Sequence, residues 1–275
     1  MKTVFGVFGD PVEHSLSPDM HNAAFSELGM DSIYHAFRVD KKSLEYALNG
    51  ANAMGFGGVN ITVPLKQEAL KFVNTDPLAS KIGAVNTIDF RNENDMIGYN
   101  TDGVGARRAI ADAGVDVKNK NILILGAGGA SRAICFQFAN DGADLIIANR
   151  TESKALELAE DVKSVGNARG IGFSNLEELI AESDILINTT TVGMHPNTKD
   201  TIITSEHMHS GLVVFDIVYN PLETRLLKEA KSAGAIPVNG LMMFVYQGAE
   251  AFKIWTGENP PIEVMKNTVL EELKS

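Results

Sequence analysis

The chain has 275 residues, 44% of them hydrophobic and 21% charged, with 24 Lys and Arg against 35 Asp and Glu for a formal net charge of -11. That is an ordinary globular composition with ample core material, long enough for one large domain or two smaller ones. The acidic balance argues against a general affinity for nucleic acid or for an anionic membrane. A single cysteine, Cys135, excludes an intrachain disulfide and any thiol-based metal cluster.

The N-terminal run Val4-Phe5-Gly6-Val7-Phe8-Gly9 is too short and too glycine-broken for a secretory signal, and Asp10-Pro11 follows directly. No apolar run reaches membrane-spanning length, so a cytoplasmic protein is expected. Residues 4–8 read as a strand, and Ser17-Pro18 opens a helix to about residue 28. A strand over 34–39, a helix over 42–53, a short strand over 59–63 stopped by Pro64 and a helix over 66–73 follow. Residues 84–90 and 96–99 predict two strands joined by the polar turn Arg91-Asn92-Glu93-Asn94-Asp95, a hairpin expected at a sheet edge.

After a connecting helix at 104–113, strands near 121–125, 144–148, 169–172, 184–188, 213–217 and 235–238 alternate with helices near 130–140, 152–163, 175–181 and 222–232. Such alternation predicts a doubly wound parallel sheet with right-handed crossovers and a ligand across the carboxyl ends of its strands. Two last helices, 242–256 and 262–274, are expected to return to the first domain. The expected fold is α/β in two domains: an N-terminal domain of residues 1–103 with 240–275, and a Rossmann-type domain of 104–239. Hinges near 103 and 239 would place an active cleft between them.

The run Ile122-Leu123-Ile124-Leu125 breaks into Gly126-Ala127-Gly128-Gly129-Ala130-Ser131-Arg132, the strand–turn–helix pattern in which backbone wraps a pyrophosphate. Gly126 permits the tight turn and Gly128 leaves room for the ligand. Ala130 stands near the third small position, so the spacing departs from the usual fingerprint. The next strand ends in Asn149-Arg150-Thr151, where an NAD site would usually place an acid for the ribose 2′-hydroxyl. Arg150 can instead hold a 2′-phosphate bidentately, with Thr151 at the start of the next helix and Lys154 one turn on. NADP is therefore preferred over NAD, against the alternative of a solvated helix start with two surface bases.

Four polar clusters punctuate the first block: His14-Ser15-Leu16-Ser17-Pro18, Asn60-Ile61-Thr62-Val63-Pro64-Leu65-Lys66, Ala84-Val85-Asn86-Thr87 and Asn100-Thr101-Asp102-Gly103. Ser15 and Ser17 can clasp a carboxylate or a diol, or Ser17 can simply cap the helix. Asn60 and Thr62 share one strand face. Lys66 at a helix start opposes the helix dipole, where an acid would be preferred. A Lys66–Asp102 pair fits proton transfer, and it equally fits a structural salt bridge. The six histidines show no metal-ligand spacing, and His207 and His209 read as surface loop residues.

These four segments, in order, resemble the substrate signature of shikimate dehydrogenases. The resemblance extends through Gly126 to Arg132, Asn149-Arg150-Thr151, Asn188 to Met194, Asp216-Ile217-Val218-Tyr219-Asn220-Pro221, Gly240-Leu241-Met242-Met243 and Gln247. It implies reversible NADPH-dependent reduction of 3-dehydroshikimate to shikimate in the route to chorismate and the aromatic amino acids. On that reading Ser15 and Ser17 bind the ring carboxylate with Tyr219 nearby. Thr62, Asn86, Asp102 and Gln247 hold the ring hydroxyls, and Lys66 moves the C3-hydroxyl proton beside Asp102. Gly126, Ala127, Gly128, Gly129 and Ala130 would take the pyrophosphate, and Asn149, Arg150, Thr151 and Lys154 the 2′-phosphate. Thr190, Met194, Ile217, Gly240 and Met243 would line the cofactor's route. The resemblance implies no metal and a small-molecule partner only, with monomer and homodimer both open. The competing readings are a relative that also oxidises quinate, often with NAD, and a non-catalytic NADP- or metabolite-binding regulatory module.

Overall fold

In the computed structural model, which describes residues 2–92 and 95–274, the chain forms two compact units. One comprises Met1–Asp102 with Val245–Ser275, the other Gly103–Phe244.

The first unit is built on a six-stranded mixed sheet. Its strands are β1 (Thr3–Gly9), β2 (Ser32–Arg38), β3 (Gly58–Ile61), β4 (Asn74–Thr75), β5 (Thr87–Asn92) and β6 (Asp95–Tyr99), in the order β2-β1-β3-β5-β6-β4. β1 pairs in parallel with β2 and β3, and β5 runs antiparallel to β3 and β6. Phe5, Val7 and Phe8 of β1 are all buried, as expected of an inner strand covered on both faces. One face carries α2 (Leu44–Ala53), whose Leu44, Leu48 and Ala51 pack with Phe8, Val59, Ile61 and Ile88. Helices α1 (Ser17–Glu27) and α10 (Ile262–Glu272) pack together. In α9 (Leu241–Thr256), Trp255 lies so close to β3 that a Cβ on Gly58 would sit 2.2 Å from its indole nitrogen. That nitrogen donates to the Ile88 carbonyl at 3.0 Å, so the glycine is what lets the tryptophan bridge to β5.

Three expectations for this unit need correction. The helix expected over 66–73 is only a 3-10 turn, Glu68–Lys71, after which the chain returns to the sheet as β4. The cause is tertiary: Val85 N–H donates to the Lys66 carbonyl at 2.8 Å and holds this segment against the start of β5. β4 pairs with β6, so the β5–β6 hairpin is not the sheet edge; its expected turn residues Glu93 and Asn94 lie outside the described residues. A helix that was not expected, α3 (Pro77–Ile82), follows. Its signals are conventional: Asp76 accepts from the Leu78 and Ala79 amides, Pro77 opens the first turn, and Gly83 closes it at φ 68°.

The second unit begins with α4, which spans Asp102–Asp112 and so starts two residues before the expected 104. Strands β7 (Asn121–Leu125), β8 (Asp144–Ala148), β9 (Asn167–Ile171), β10 (Ile185–Asn188), β11 (Val213–Asp216) and β12 (Ile236–Val238) form an all-parallel sheet in the order β12-β11-β10-β7-β8-β9. Helices α5 (Gly129–Asn140), α6 (Glu152–Val162), α7 (Leu176–Ala181) and α8 (Arg225–Ser232) make the crossovers. Every residue of β10 and β11 is buried, the pattern of strands covered on both faces. The strand order reverses between β7 and β10, and that topological switch point is where open α/β sheets bind ligands. Among the described residues, no helix is long and apolar enough to cross a membrane.

Candidate functional site

In the first unit three of the four polar clusters of the sequence, those at 60–66, 84–87 and 100–103, converge on one network. Leu65 is fully buried and anchors the turn from which Lys66 projects. The Lys66 Nζ lies 2.5 Å from Asp102 Oδ2, with both side chains largely buried. Asp102 is the first residue of α4, where backbone N–H groups and the helix dipole favour a carboxylate. Its Oδ1 accepts from Asn86 Nδ2 at 2.9 Å, and the same nitrogen lies 2.9 Å from Thr101 Oγ1 and 3.5 Å from Gln247 Oε1. Asn86 Oδ1 in turn accepts from the Thr101 amide at 2.8 Å and the Thr87 hydroxyl at 3.0 Å. The Thr101 hydroxyl donates to the Gln247 carbonyl at 2.9 Å. Asn86, Thr101 and Asp102 are each 4% exposed or less. A salt bridge this buried is a poor source of stability, because desolvation offsets its Coulomb attraction. Its geometry is instead that of a preorganised ammonium held beside a carboxylate.

The serines lie in the same unit, at the start of α1. Ser17 is buried and opens α1, whose N-cap position is Leu16 and carries no side-chain cap. Ser17 therefore does not cap the helix. Its amide donates to Ser15 Oγ at 3.3 Å. Thr62 follows the end of β3, so close to β1 that a Cβ on Gly9 would sit 2.3 Å from its methyl. Lys66, Asn86, Asp102 and Gln247 are thus brought into direct contact, with Ser15, Ser17 and Thr62 in the same unit. Tyr219 belongs to the other unit, stacked on Phe244 at 4.3 Å. Burial pushes its phenol up to about 12, so it remains a hydrogen-bond donor at neutral pH.

The second unit presents a different kind of site, at its switch point. Gly126 follows β7 with φ 113°, a conformation that L side chains rarely adopt, and a Cβ there would sit 2.5 Å from Thr189 Oγ1. The Ser131 hydroxyl donates to the Gly126 carbonyl at 2.7 Å and locks the turn. Gly128 is the N-cap of α5 and offers no side-chain cap, and a Cβ built there meets nothing within 4 Å. Ala127, Gly129 and Ala130 complete this shallow cradle. Its first-turn amides face outward without a side-chain oxygen, which is the requirement for a phosphate at a helix N-terminus. At the end of β8, Arg150 is exposed, Asn149 Nδ2 donates to the Thr151 carbonyl at 2.9 Å, and Thr151 is the uncapped N-cap of α6 with exposed Lys154 beyond it.

A buried carboxylate, Asp216, ties the strand ends together. It accepts from the Thr224 hydroxyl at 2.6 Å, Asn188 Nδ2 at 2.9 Å and the Val218 amide at 3.1 Å. Burial pushes its pKa up to about 6. Asn188 Oδ1 accepts from the Thr190 amide and hydroxyl at 3.1 and 2.7 Å, which fixes the loop leading to Met194. Gly240 passes so close to Ile217 that a Cβ would sit 2.2 Å from the Ile217 carbonyl oxygen. Met243 is buried, whereas Met194 is 42% exposed. The histidine expectation is revised in part. His207 closes the 3-10 turn Ser205–His207, half-buried, 3.4 Å from Glu206 and 3.5 Å from Glu177, and His209 Nε2 lies 3.1 Å from the Ser183 carbonyl. Among the described residues, no three His, Cys, Asp or Glu side chains gather as a metal site.

Sequence reasoning missed Tyr34 and the hydroxyl of Thr101. Tyr34 reads as an apolar strand residue, and nothing local reveals what its hydroxyl meets.

Three family models match the chain: a shikimate dehydrogenase substrate binding domain over residues 7–88, a shikimate/quinate 5-dehydrogenase domain over 108–225, and a shikimate 5′-dehydrogenase C-terminal domain over 240–270. A relative from Methanosarcina mazei named shikimate dehydrogenase (NADP(+)) is 61% identical, with 100% of both chains covered. A shikimate dehydrogenase solved in complex with NADP+ superposes with a TM-score of 0.94 at 45% identity, covering 100% of this chain and 96% of the other. The Listeria monocytogenes shikimate 5-dehydrogenase, solved with shikimate and NAD, gives a TM-score of 0.90 at 38% identity, covering 98% and 96%. With this identity along its whole length and the site geometry described above, the chain belongs to the shikimate/quinate dehydrogenase family.

Proposed function

We propose that this protein is an NADP-dependent shikimate dehydrogenase, reducing 3-dehydroshikimate reversibly to shikimate. The observation that carries the reading is the buried Lys66–Asp102–Asn86 network in a unit otherwise packed as an ordinary core. Shikimate is a carboxylate with three ring hydroxyls, and the first unit supplies the matching groups. Ser15 and Ser17 bind the carboxylate. Thr62, Asn86, Asp102 and Gln247 hold the hydroxyls.

Hydride can leave a carbinol carbon only as its oxygen loses a proton. In oxidation the neutral Lys66 amine takes the hydroxyl proton as hydride leaves, and in reduction the Lys66 ammonium stabilises the developing alkoxide and gives the proton back to it. Asp102 orients Lys66 and a substrate hydroxyl together, and Asn86 holds Asp102 in place. When bound, NADP(H) supplies or accepts the hydride. The outward-facing cradle of Gly126, Ala127, Gly128, Gly129 and Ala130 fits its pyrophosphate. Asn149, Arg150, Thr151 and Lys154 fit the adenosine 2′-phosphate, and no acid stands at Asn149 to prefer the bare hydroxyl of NAD. Thr190, Met194, Ile217, Gly240 and Met243 line the remainder of the site. The working domains follow the chain as residues 1–103 with 240–275 for substrate and 104–239 for cofactor. A cytoplasmic setting accords with a lone, buried cysteine.

The test is steady-state oxidation of shikimate and of quinate, each with NADP+ and NAD+, read by absorbance of the reduced nicotinamide. The highest kcat/KM is expected for shikimate with NADP+. Preference for quinate with NAD+ would place the chain with the quinate-oxidising relatives, and no turnover with any pair would favour a binding module.

A further inference from the structure

Tyr34 is fully buried, yet it carries a hydroxyl that the apolar face of a strand does not require. That hydroxyl donates to Asn60 Oδ1 at 2.7 Å. Asn60 is fully engaged in turn: its Nδ2 donates to the Asn86 carbonyl at 3.0 Å and to Thr87 Oγ1 at 3.1 Å. Asn86 and Thr87 belong to the network that holds Asp102 and Lys66. The phenol oxygen therefore reaches the network around the lysine through a single residue, Asn60.

The ring is held as rigidly as its tip. Asn22 clamps the Tyr34 backbone, accepting from its amide at 2.8 Å and donating to its carbonyl at 2.9 Å. His21 stacks on the ring at 4.5 Å with the planes 10° apart, and Trp255 closes in at 6.2 Å. Burial pushes His21 down to about 3, so at neutral pH it is an uncharged plate against which the phenol is fixed. Burial also keeps the phenol protonated and able to donate. A ring needed only for packing would be served by Phe without the cost of burying a hydroxyl.

We propose that Tyr34 is a positioning residue for substrate binding: its hydroxyl fixes the orientation of Asn60, which in turn holds Asn86 and Thr87 in place beside the Lys66–Asp102 pair. This rests on the functional reading above. Tyr34→Phe keeps the ring and its stacking on His21 and removes only the oxygen. In the full-length enzyme it is expected to raise KM for shikimate about tenfold while kcat falls less than about threefold and the Kd of NADP+ stays unchanged. Because Tyr34 acts through Asn60, the double variant Tyr34→Phe/Asn60→Ala is expected to raise KM by much less than the product of the two single effects. An unchanged KM in Tyr34→Phe, with or without a lower Tm, would overturn the proposal, as would independent, multiplying effects in the double variant. Wild-type turnover of shikimate separates this test from the functional reading: its absence would sink both, whereas a loss confined to the KM of the variants bears on Tyr34 alone.

Discussion

The two units solve the problem of holding a small polar molecule in opposite ways. The first uses side chains: Lys66, Asp102, Asn86, Thr101 and Gln247 are knitted together in a largely buried hydrogen-bonded network. The second uses backbone: a glycine turn and an uncapped helix start leave amides facing outward, with little side chain in the cradle. The difference teaches where each site is vulnerable. A buried side-chain network is disrupted by removing one atom, because its neighbours are left unpaired. A backbone cradle tolerates most side-chain changes nearby and is sensitive chiefly to an added Cβ.

The largest expected effect falls on the first site. Lys66→Ala should lower kcat at least about a hundredfold while NADP+ affinity and Tm hold. A variant whose turnover stayed near normal would break the contrast, and a severe loss of Tm with little kinetic change would make the pair a structural salt bridge.

Next comes a pair of glycine substitutions that sharpens the contrast within the second site. Gly128→Val adds side chain to open space, so it should leave Tm nearly unchanged and weaken NADP+ about tenfold or more by titration. Gly126→Ala should act mainly on stability, since φ is 113° and the new Cβ would sit 2.5 Å from Thr189 Oγ1. Reversed outcomes would mean that the open space before α5 is not where the pyrophosphate sits. Arg150→Ala should cost NADP+ about 2–3 kcal/mol of binding and barely affect NAD+. Equal weakening of both would assign Arg150 to the loop's structure.

The smallest effect concerns acid stability, where the units carry buried groups of opposite sign. His21 is pushed down to about 3, below its unfolded value near 6.5. The unfolded chain therefore binds the extra proton, and this contribution is lost as pH falls from about 6.5 toward 3. Asp216 is pushed up to about 6, above its unfolded value near 3.9. Its contribution is present below about 3.9 and is lost as pH rises through 6. Replacing His21 with Phe should flatten the acid limb of a Tm–pH curve between pH 6.5 and 4, and Asp216→Asn should steepen it. An unchanged slope in both variants would show that neither group titrates on unfolding in that window.

How much of this was legible in the sequence follows from the same contrast. The glycine turn could be read directly, because a positive φ and an open helix start are local demands that the residues themselves announce. The parallel sheet was legible for a similar reason: its strands are short apolar runs between helical patterns, and all six lie within a few residues of their expected places. The helix expected over 66–73 failed because the segment's fate is decided by its bond to Val85, nineteen residues later in the chain. The unread α3 has its Asp76-Pro77 start and Gly83 stop in plain view, in a stretch for which no element was expected. The Lys66–Asp102 pair was legible as two charges in costly places, at a helix start and a strand end 36 positions apart, but only the family resemblance chose proton transfer over a salt bridge. Tyr34 escaped notice because its partner Asn60 is 26 residues away on a non-adjacent strand.

The division between a side-chain site for substrate and a backbone site for cofactor is tested most directly on Asp102→Asn. That change keeps the size of the side chain and removes the charge facing Lys66. Shikimate oxidation and NADP+ titration should be measured on the same preparation, beside the wild type. The division predicts that kcat/KM for shikimate falls at least about a hundredfold while the Kd of NADP+ stays within about twofold. A kcat/KM changed less than about threefold, or a parallel loss of NADP+ affinity, would contradict it.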